Sequence, residues 1–201
     1  MSLAVPPVDF GPFTDVIAFI MELDKLKYVH RKTKLLNNAR HENSAEHSWH
    51  FAIAVLGFAP YAGDVNISRV VQMALIHDIV EIDAGDVIVF DLAAREAIHE
   101  QEVKAAGRIF GLLPETQGEY FLQLWHEYED AITPEARFAK TLDRIMPVFM
   151  NLHNHGQSWV ENNIRFEQVY NLLQFVAESY PELWQYLLPQ LEAAKEKGWL
   201  S

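Results

Sequence analysis

Cysteine is absent from the 201 residues, which excludes a disulfide scaffold, a thiol nucleophile and a zinc–thiolate site. Basic residues are scarce. Sixteen Lys and Arg stand against 28 Asp and Glu, a net charge of −12, the wrong sign for wrapping a nucleic-acid polymer. No apolar run, Phe51 to Ala59 included, approaches the roughly 20 residues of a membrane span. Met1-Ser2-Leu3-Ala4 opens without the basic flank of a secretory signal. Period-two alternation is missing, and nothing repeats internally. These absences lead us to expect a cytoplasmic chain with neither membrane nor nucleic acid as partner. Half the residues are apolar, and a chain of this size can withdraw roughly 70% of its extended surface from water. It needs no metal merely to fold.

Apolar residues recur at three- and four-residue spacing, so the prediction is an all-α fold of about eight helices in one domain, residues 1–201. The first helix is expected over Phe13 to Lys27, with Phe13, Ile17, Ile20, Met21 and Leu23 inward. Asn43-Ser44-Ala45-Glu46 reads as a capping box opening a helix to about Tyr61. Asn66 caps a third helix, Ile67 to about Asp83, which Gly85 ends. Further helices are expected over Leu92 to Leu113, Pro114 to Asp130, Pro134 to Asn154, Phe166 to Glu178 and Pro181 to Gly198. Pro147 and Pro189 should kink or split theirs. Leu35 to Arg40 is a short extended loop or hairpin.

From Lys25 to His41 there is no acid, while Lys25, Lys27, Arg31, Lys32, Lys34 and Arg40 supply six cations; random placement would put about one or two there. This is either a solvated face or an electropositive lip for phosphate, for which arginine's planar fork is suited. Glu46-His47-Ser48-Trp49-His50 follows, with His47 and His50 on one side of their helix. His50 is read as a supporting or substrate-contacting residue, and Trp49 and Trp125 as core.

His77-Asp78-Ile79-Val80-Glu81-Ile82-Asp83-Ala84-Gly85-Asp86 then breaks an apolar run with polar groups. Burying His77 beside Asp78 is costly unless a cation or hydrogen bonds compensate. Glu81, one turn on, lies near enough to act on water, and Asp86 can turn back past Gly85. Asp143, in Lys140-Thr141-Leu142-Asp143-Arg144, is either salt-bridged to Arg144 or Lys140 or completes a metal sphere.

In this order and spacing, Glu42-Asn43-Ser44-Ala45-Glu46-His47-Ser48, the His77 to Asp86 stretch and Phe138-Ala139-Lys140-Thr141-Leu142-Asp143-Arg144 resemble the HD superfamily of metal-dependent phosphohydrolases. The likeness is to its small deoxyribonucleoside 5'-monophosphatases and covers roughly residues 13–150; the C-terminal helices over 151–201 would pack on that part. The resemblance implies that His47, His77, Asp78 and Asp143 ligate one divalent ion, with Glu81 and Asp86 as the acidic catalytic residues. It also implies an arginine that holds phosphate, best matched by Arg31 with Lys32 and Arg40 as further candidates, and a homodimer. Lys32-Thr33-Lys34 stands where relatives often carry tryptophan after that arginine, a departure that bears on nucleoside specificity.

Two imidazoles and two carboxylates suit Mn²⁺, Co²⁺, Mg²⁺, Fe²⁺ or Zn²⁺, and such an ion activates water and neutralises phosphoryl charge. The expected reaction is hydrolysis of a small phosphorylated substrate, a (deoxy)nucleoside 5'-monophosphate, to nucleoside and phosphate by attack of a metal-bound water. Two alternatives remain: a phosphodiesterase of the same superfamily, for which His99 and His126 are the available extra histidines, and a helical nucleotide-binding module that does not turn over.

Overall fold

A computed structural model describes residues 8–201; the Met1 to Ala4 opening lies outside them. Ten α-helices and one small hairpin are found among the described residues. Helix α1 (Thr14–Glu22) tightens into a 3₁₀ stretch, Leu23–Tyr28, and strands β1 (His30–Lys34) and β2 (His41–Asn43) pair antiparallel. Helices α2 (Ser44–Phe58), α3 (Ile67–Ile76), α4 (Glu81–Ala84), α5 (Leu92–Phe110) and α6 (Glu115–Asp130) follow. The chain then forms α7 (Pro134–His153), α8 (Gln157–Glu161), α9 (Phe166–Ser179) and α10 (Pro181–Glu196). No described helix is long and apolar enough to cross a membrane.

Local chemistry sets most helix starts. Asn43 Oδ1 accepts from Glu46 N at 2.9 Å while Glu46 Oε2 accepts from Asn43 N at 3.2 Å, so two amides with no partner inside the helix are satisfied reciprocally. Asn66 and Thr133 cap α3 and α7 through the side chain alone, accepting from Arg69 N and Ala136 N, each such cap contributing about 1 kcal/mol. Leu35 to Arg40 is the turn of the hairpin rather than one of its strands, with Asn38 in the left-handed region at φ 57°.

Helix α3 packs on α2, α6 and α7, and α9 and α10 close over α7. Phe51, Met73, Trp125 and Phe138 are among the largest side chains fully buried there, each worth about 1.5–3 kcal/mol of hydrophobic burial. The last residues are tied in by backbone bonds, Phe166 N to Ser201 O at 2.9 Å and Ser201 N to Ile164 O at 3.2 Å.

Four expectations are corrected. The first helix buries Phe19 and Leu26, while Phe13, Ile20 and Met21 are exposed; apolar residues lie on more than one side of it, and the stacking of Phe19 on Phe121 of α6 (centroids 5.9 Å apart) marks the inward one. The helix expected over Ile67 to Asp83 is two, because bonding tightens to a three-residue spacing (Ile79 N to Ile76 O, Glu81 N to Asp78 O). Neither Pro147 nor Pro189 divides its helix; each only removes one rung from a ladder that tertiary packing holds. Trp49 is exposed rather than core.

Candidate active site

The tightened turn after α3 decides where the acids point. In a three-residue repeat, side chains at i and i+3 eclipse, and Asp78 and Glu81 thus line one cleft, together with His77. Gly85, at φ 81° and ψ 162°, takes a backbone conformation closed to other residues and returns Asp86 to the same cleft. Asp143 reaches it from α7, and β1 carries Arg31 and Lys32 over it. The cavity measures about 180 Å³. Ile88, Phe90, Ile98, Trp125 and Trp159 supply apolar wall, and Arg95, Lys140 and Arg144 further positive charge.

His77, Asp78, His47 and Asp143 meet at the base. His47 Nε2 lies 3.0 Å from Asp143 Oδ1 and 4.0 Å from Asp78 Oδ2. His77 Nε2 lies 2.9 Å from Asp78 Oδ1 and 3.8 Å from Asp143 Oδ1. Donor atoms of His47, His77 and Asp78 all fall within 4.8 Å of one another. His77 Nδ1 donates to the Ala74 carbonyl at 3.0 Å, an acceptor that fixes the proton on that nitrogen. Its Nε2 is buried and, among the described residues, makes no hydrogen bond of acceptable geometry, although the Asp78 carboxylate stands 2.9 Å away.

Electrostatics fit a cation at that point. Burial works against charge on His77, yet the Asp78 and Asp143 carboxylates raise its pKa; the cluster draws positive charge to Nε2. Burial, then the Arg31 guanidinium, push His47 down to about 4, so its ring is neutral at pH 7 with a lone pair to give. Asp78 falls to about 2 and Asp143 well below the carboxylate range, the neighbouring imidazoles and Arg31 outweighing burial. Two imidazoles and two ionised carboxylates form the mixed nitrogen and oxygen set that divalent ions accept.

Arg31 and Glu81 stand beside this group. Arg31 Nη1 reaches Asp78 Oδ2 at 2.9 Å and lies 3.7 Å from Asp86 Oδ1. Burial, with Asp78 and Asp86 nearby, lifts the Glu81 pKa well above its ordinary value, and Ser44 Oγ donates to Glu81 Oε2 at 2.6 Å. Asp86 is raised too, by burial against the pull of Arg31.

The HD domain family model matches residues 23–184. The chain belongs to the HD domain family. Among HD relatives, the chain is 31% identical over 131 residues to "5'-deoxynucleotidase HDDC2" of Bos taurus, 65% of this chain and 63% of that protein. For the Homo sapiens protein of the same name the figures are 32% over 130 residues, 64% and 63%. The chain thus spans a little under two thirds of these relatives' length. The HD fold extends further than that: a crystal structure described as a predicted metal-dependent phosphohydrolase from Magnetospirillum magnetotacticum superposes with a TM-score of 0.88 at 40% identity, covering 94% of this chain and 98% of that one. The region after Asn154, silent in the motifs, therefore lies inside the shared fold.

Of the residues that the HD resemblance singles out, Arg40 is not brought to the cleft. Its guanidinium grips Glu46 through Nη1 at 2.8 Å and Nη2 at 2.6 Å, bracing the capping box. Lys25, Lys27 and Lys34 are likewise engaged by Glu22, Asp24 and Glu161, which leaves Arg31 and Lys32 as the members of the cluster that line the cleft. His50 stacks beside Trp49 (centroids 6.1 Å apart) and does not line the cleft. Lys140 pairs with Glu129 at 2.8 Å, and Asp143 faces imidazoles instead of a salt bridge.

Residues the sequence reading gave no role also belong here. Glu42 is buried, 3.7 Å from Arg31 Nε and 3.8 Å from His47 Nδ1, and burial lifts it to about 7. Its place five residues before His47, within the motif itself, was the available signal. Ser44 had the same signal; Tyr128, on an apolar helix face, had none.

Proposed function

We propose that this chain is a metal-dependent phosphohydrolase acting on (deoxy)nucleoside 5'-monophosphates, releasing nucleoside and phosphate. The observation that carries the reading is the buried convergence of His77 Nε2 and His47 Nε2 on the carboxylates of Asp78 and Asp143, at 2.9 to 4.0 Å. The names of the HD relatives support the substrate class.

In this reading His47, His77, Asp78 and Asp143 hold one divalent ion. When bound, such an ion lends Lewis acidity, easing deprotonation of water and drawing charge from the phosphoryl group. Arg31 grips the non-bridging phosphate oxygens, where developing charge is best stabilised, and Lys32 adds charge at the rim. Glu81, its pKa raised by burial, takes a proton from the attacking water. Asp86, raised as well, delivers one to the leaving sugar oxygen. Ser44 keeps the Glu81 carboxylate oriented through its 2.6 Å hydrogen bond. The apolar walls around Phe90 and Trp159 receive the nucleoside.

The phosphodiesterase alternative loses support because His99 and His126 both face solvent. The non-catalytic alternative leaves the raised Glu81 and Asp86 beside the cluster without purpose. We also read residues 1–201 as one cytoplasmic domain acting as a homodimer. A row of exposed apolar side chains on α2, Trp49, Ile53 and Leu56 at four- and three-residue steps, supports the dimer.

Phosphate release from a nucleotide panel, with protein loaded separately with Mn²⁺, Co²⁺, Mg²⁺, Fe²⁺ and Zn²⁺, tests the activity. Release from 5'-monophosphates that Glu81→Gln abolishes is expected; no release with any ion overturns it. Light scattering on the eluted protein checks the dimer.

A further inference from the structure

Helix α6 contributes none of the four donors, yet it touches two of them. Tyr128, one turn after Trp125 on that helix, is 2% exposed. Its hydroxyl donates to Asp143 Oδ2 at 3.0 Å, and its ring packs against the His77 imidazole with centroids 5.1 Å apart. Trp125 Nε1 donates to the His77 backbone carbonyl at 3.2 Å. The Tyr128 ring is itself seated: Lys140 Nζ stands 3.8 Å over its face and is held by Glu129.

The other Asp143 oxygen, Oδ1, is the one that faces both imidazoles, at 3.0 and 3.8 Å. A carboxylate on a helix can rotate about its last torsion and offer either oxygen or both. Pro147, four residues on, cannot donate to the Asp143 carbonyl, so the backbone at this turn has one rung fewer to resist movement. The restraint on Oδ2 seen in the structure is the Tyr128 hydroxyl, which comes from outside the helix.

We propose that Tyr128 is a positioning residue for Asp143: by engaging Oδ2 it holds Oδ1 toward His47 and His77 as a single donor oxygen. The proposal rests on the reading of His47, His77, Asp78 and Asp143 as the ligands of one divalent ion. Hydrogen-bond partners that lie behind a ligand change metal affinity by about 10–100-fold when removed, and Tyr128 is the neighbour whose hydroxyl is placed to act in this way.

The test is a Co²⁺ titration of the metal-free full chain, followed by visible absorption, for the parent protein and Tyr128→Phe, with melting curves of both metal-free proteins. The parent protein should take up about one Co²⁺ per chain; if it binds none, the ligand reading itself fails. Tyr128→Phe should bind Co²⁺ about 10–100-fold more weakly and show an altered absorption band, because Oδ2 is then free to join or replace Oδ1. Its metal-free melting temperature should stay within a few degrees of the parent's. Equal affinity with an unchanged band overturns the proposal while leaving the ligand reading intact. A variant that is unfolded without metal assigns the hydroxyl to folding and overturns it as well.

Discussion

Arg31 Nη1 stands 2.9 Å from Asp78 Oδ2, although 47 residues separate the two in the chain. The Arg31 side chain is 14% exposed, so one group both engages the Asp78 carboxylate and lines the cleft. Arg31→Lys keeps the charge but loses the planar fork. We expect kcat/KM for a nucleoside monophosphate to fall by about 100-fold, in the range of removing one oxyanion donor, while metal content stays at the parent value. Steady-state kinetics with elemental analysis checks both; full activity in the Lys variant would show that the fork is not used.

Asp143→Asn removes the charge of the oxygen shared by His47 and His77. The expected result is metal content well below one equivalent and activity recovered only at much higher metal concentration. Metal content unchanged after dialysis would strike Asp143 from the ligand set.

Glu81→Gln separates chemistry from binding. The ion should remain, because the Glu81 carboxylate is held by Ser44 Oγ at 2.6 Å and not by the two imidazoles, while kcat drops by about 10²–10⁴-fold, the usual contribution of a general base. Parallel elemental analysis and single-turnover rates read the two effects; loss of the metal would recast Glu81 as a ligand.

Gly85→Ala probes how the backbone aims Asp86. At φ 81° and ψ 162° an added Cβ is strained by about 1–3 kcal/mol. The melting temperature should drop and kcat should drop with it as Asp86 is displaced; a variant of unchanged stability and rate would show that the turn is not needed.

Away from the site, the Arg69–Glu127 pair sets an acid limit. The hydrogen bond from Arg69, against partial burial and aided by Thr133, lowers the Glu127 pKa below 4.5. A carboxylate depressed in the folded state stabilises fully above its unfolded value and ceases to do so as pH falls through the folded one. Arg69→Met should therefore cost about 1 kcal/mol near pH 7 and progressively less below pH 4.5. Urea unfolding across that range checks the sign: a cost that grows on acidification contradicts it.

The capping box at Asn43, the caps at Asn66 and Thr133 and the stop at Gly85 were legible in the amino-acid order, because each is a hydrogen bond or a backbone preference acting within about four residues. The residues themselves showed His77, Asp78 and Asp143 as polar groups interrupting apolar helices and in need of partners; that they belong with His47 was read from the resemblance to the HD superfamily. The resemblance already favoured Arg31, but only packing released Arg40, since both sit in the same cationic stretch and it is the hairpin's docking over α7 and α8 that brings Arg31 to the cleft while Arg40 turns to Glu46. Packing also turned Trp49 outward, divided the helix at His77 and set the Tyr128 hydroxyl on Asp143. Such choices depend on contacts across tens of residues, and local propensity carries no information about which distant surface a side chain will face.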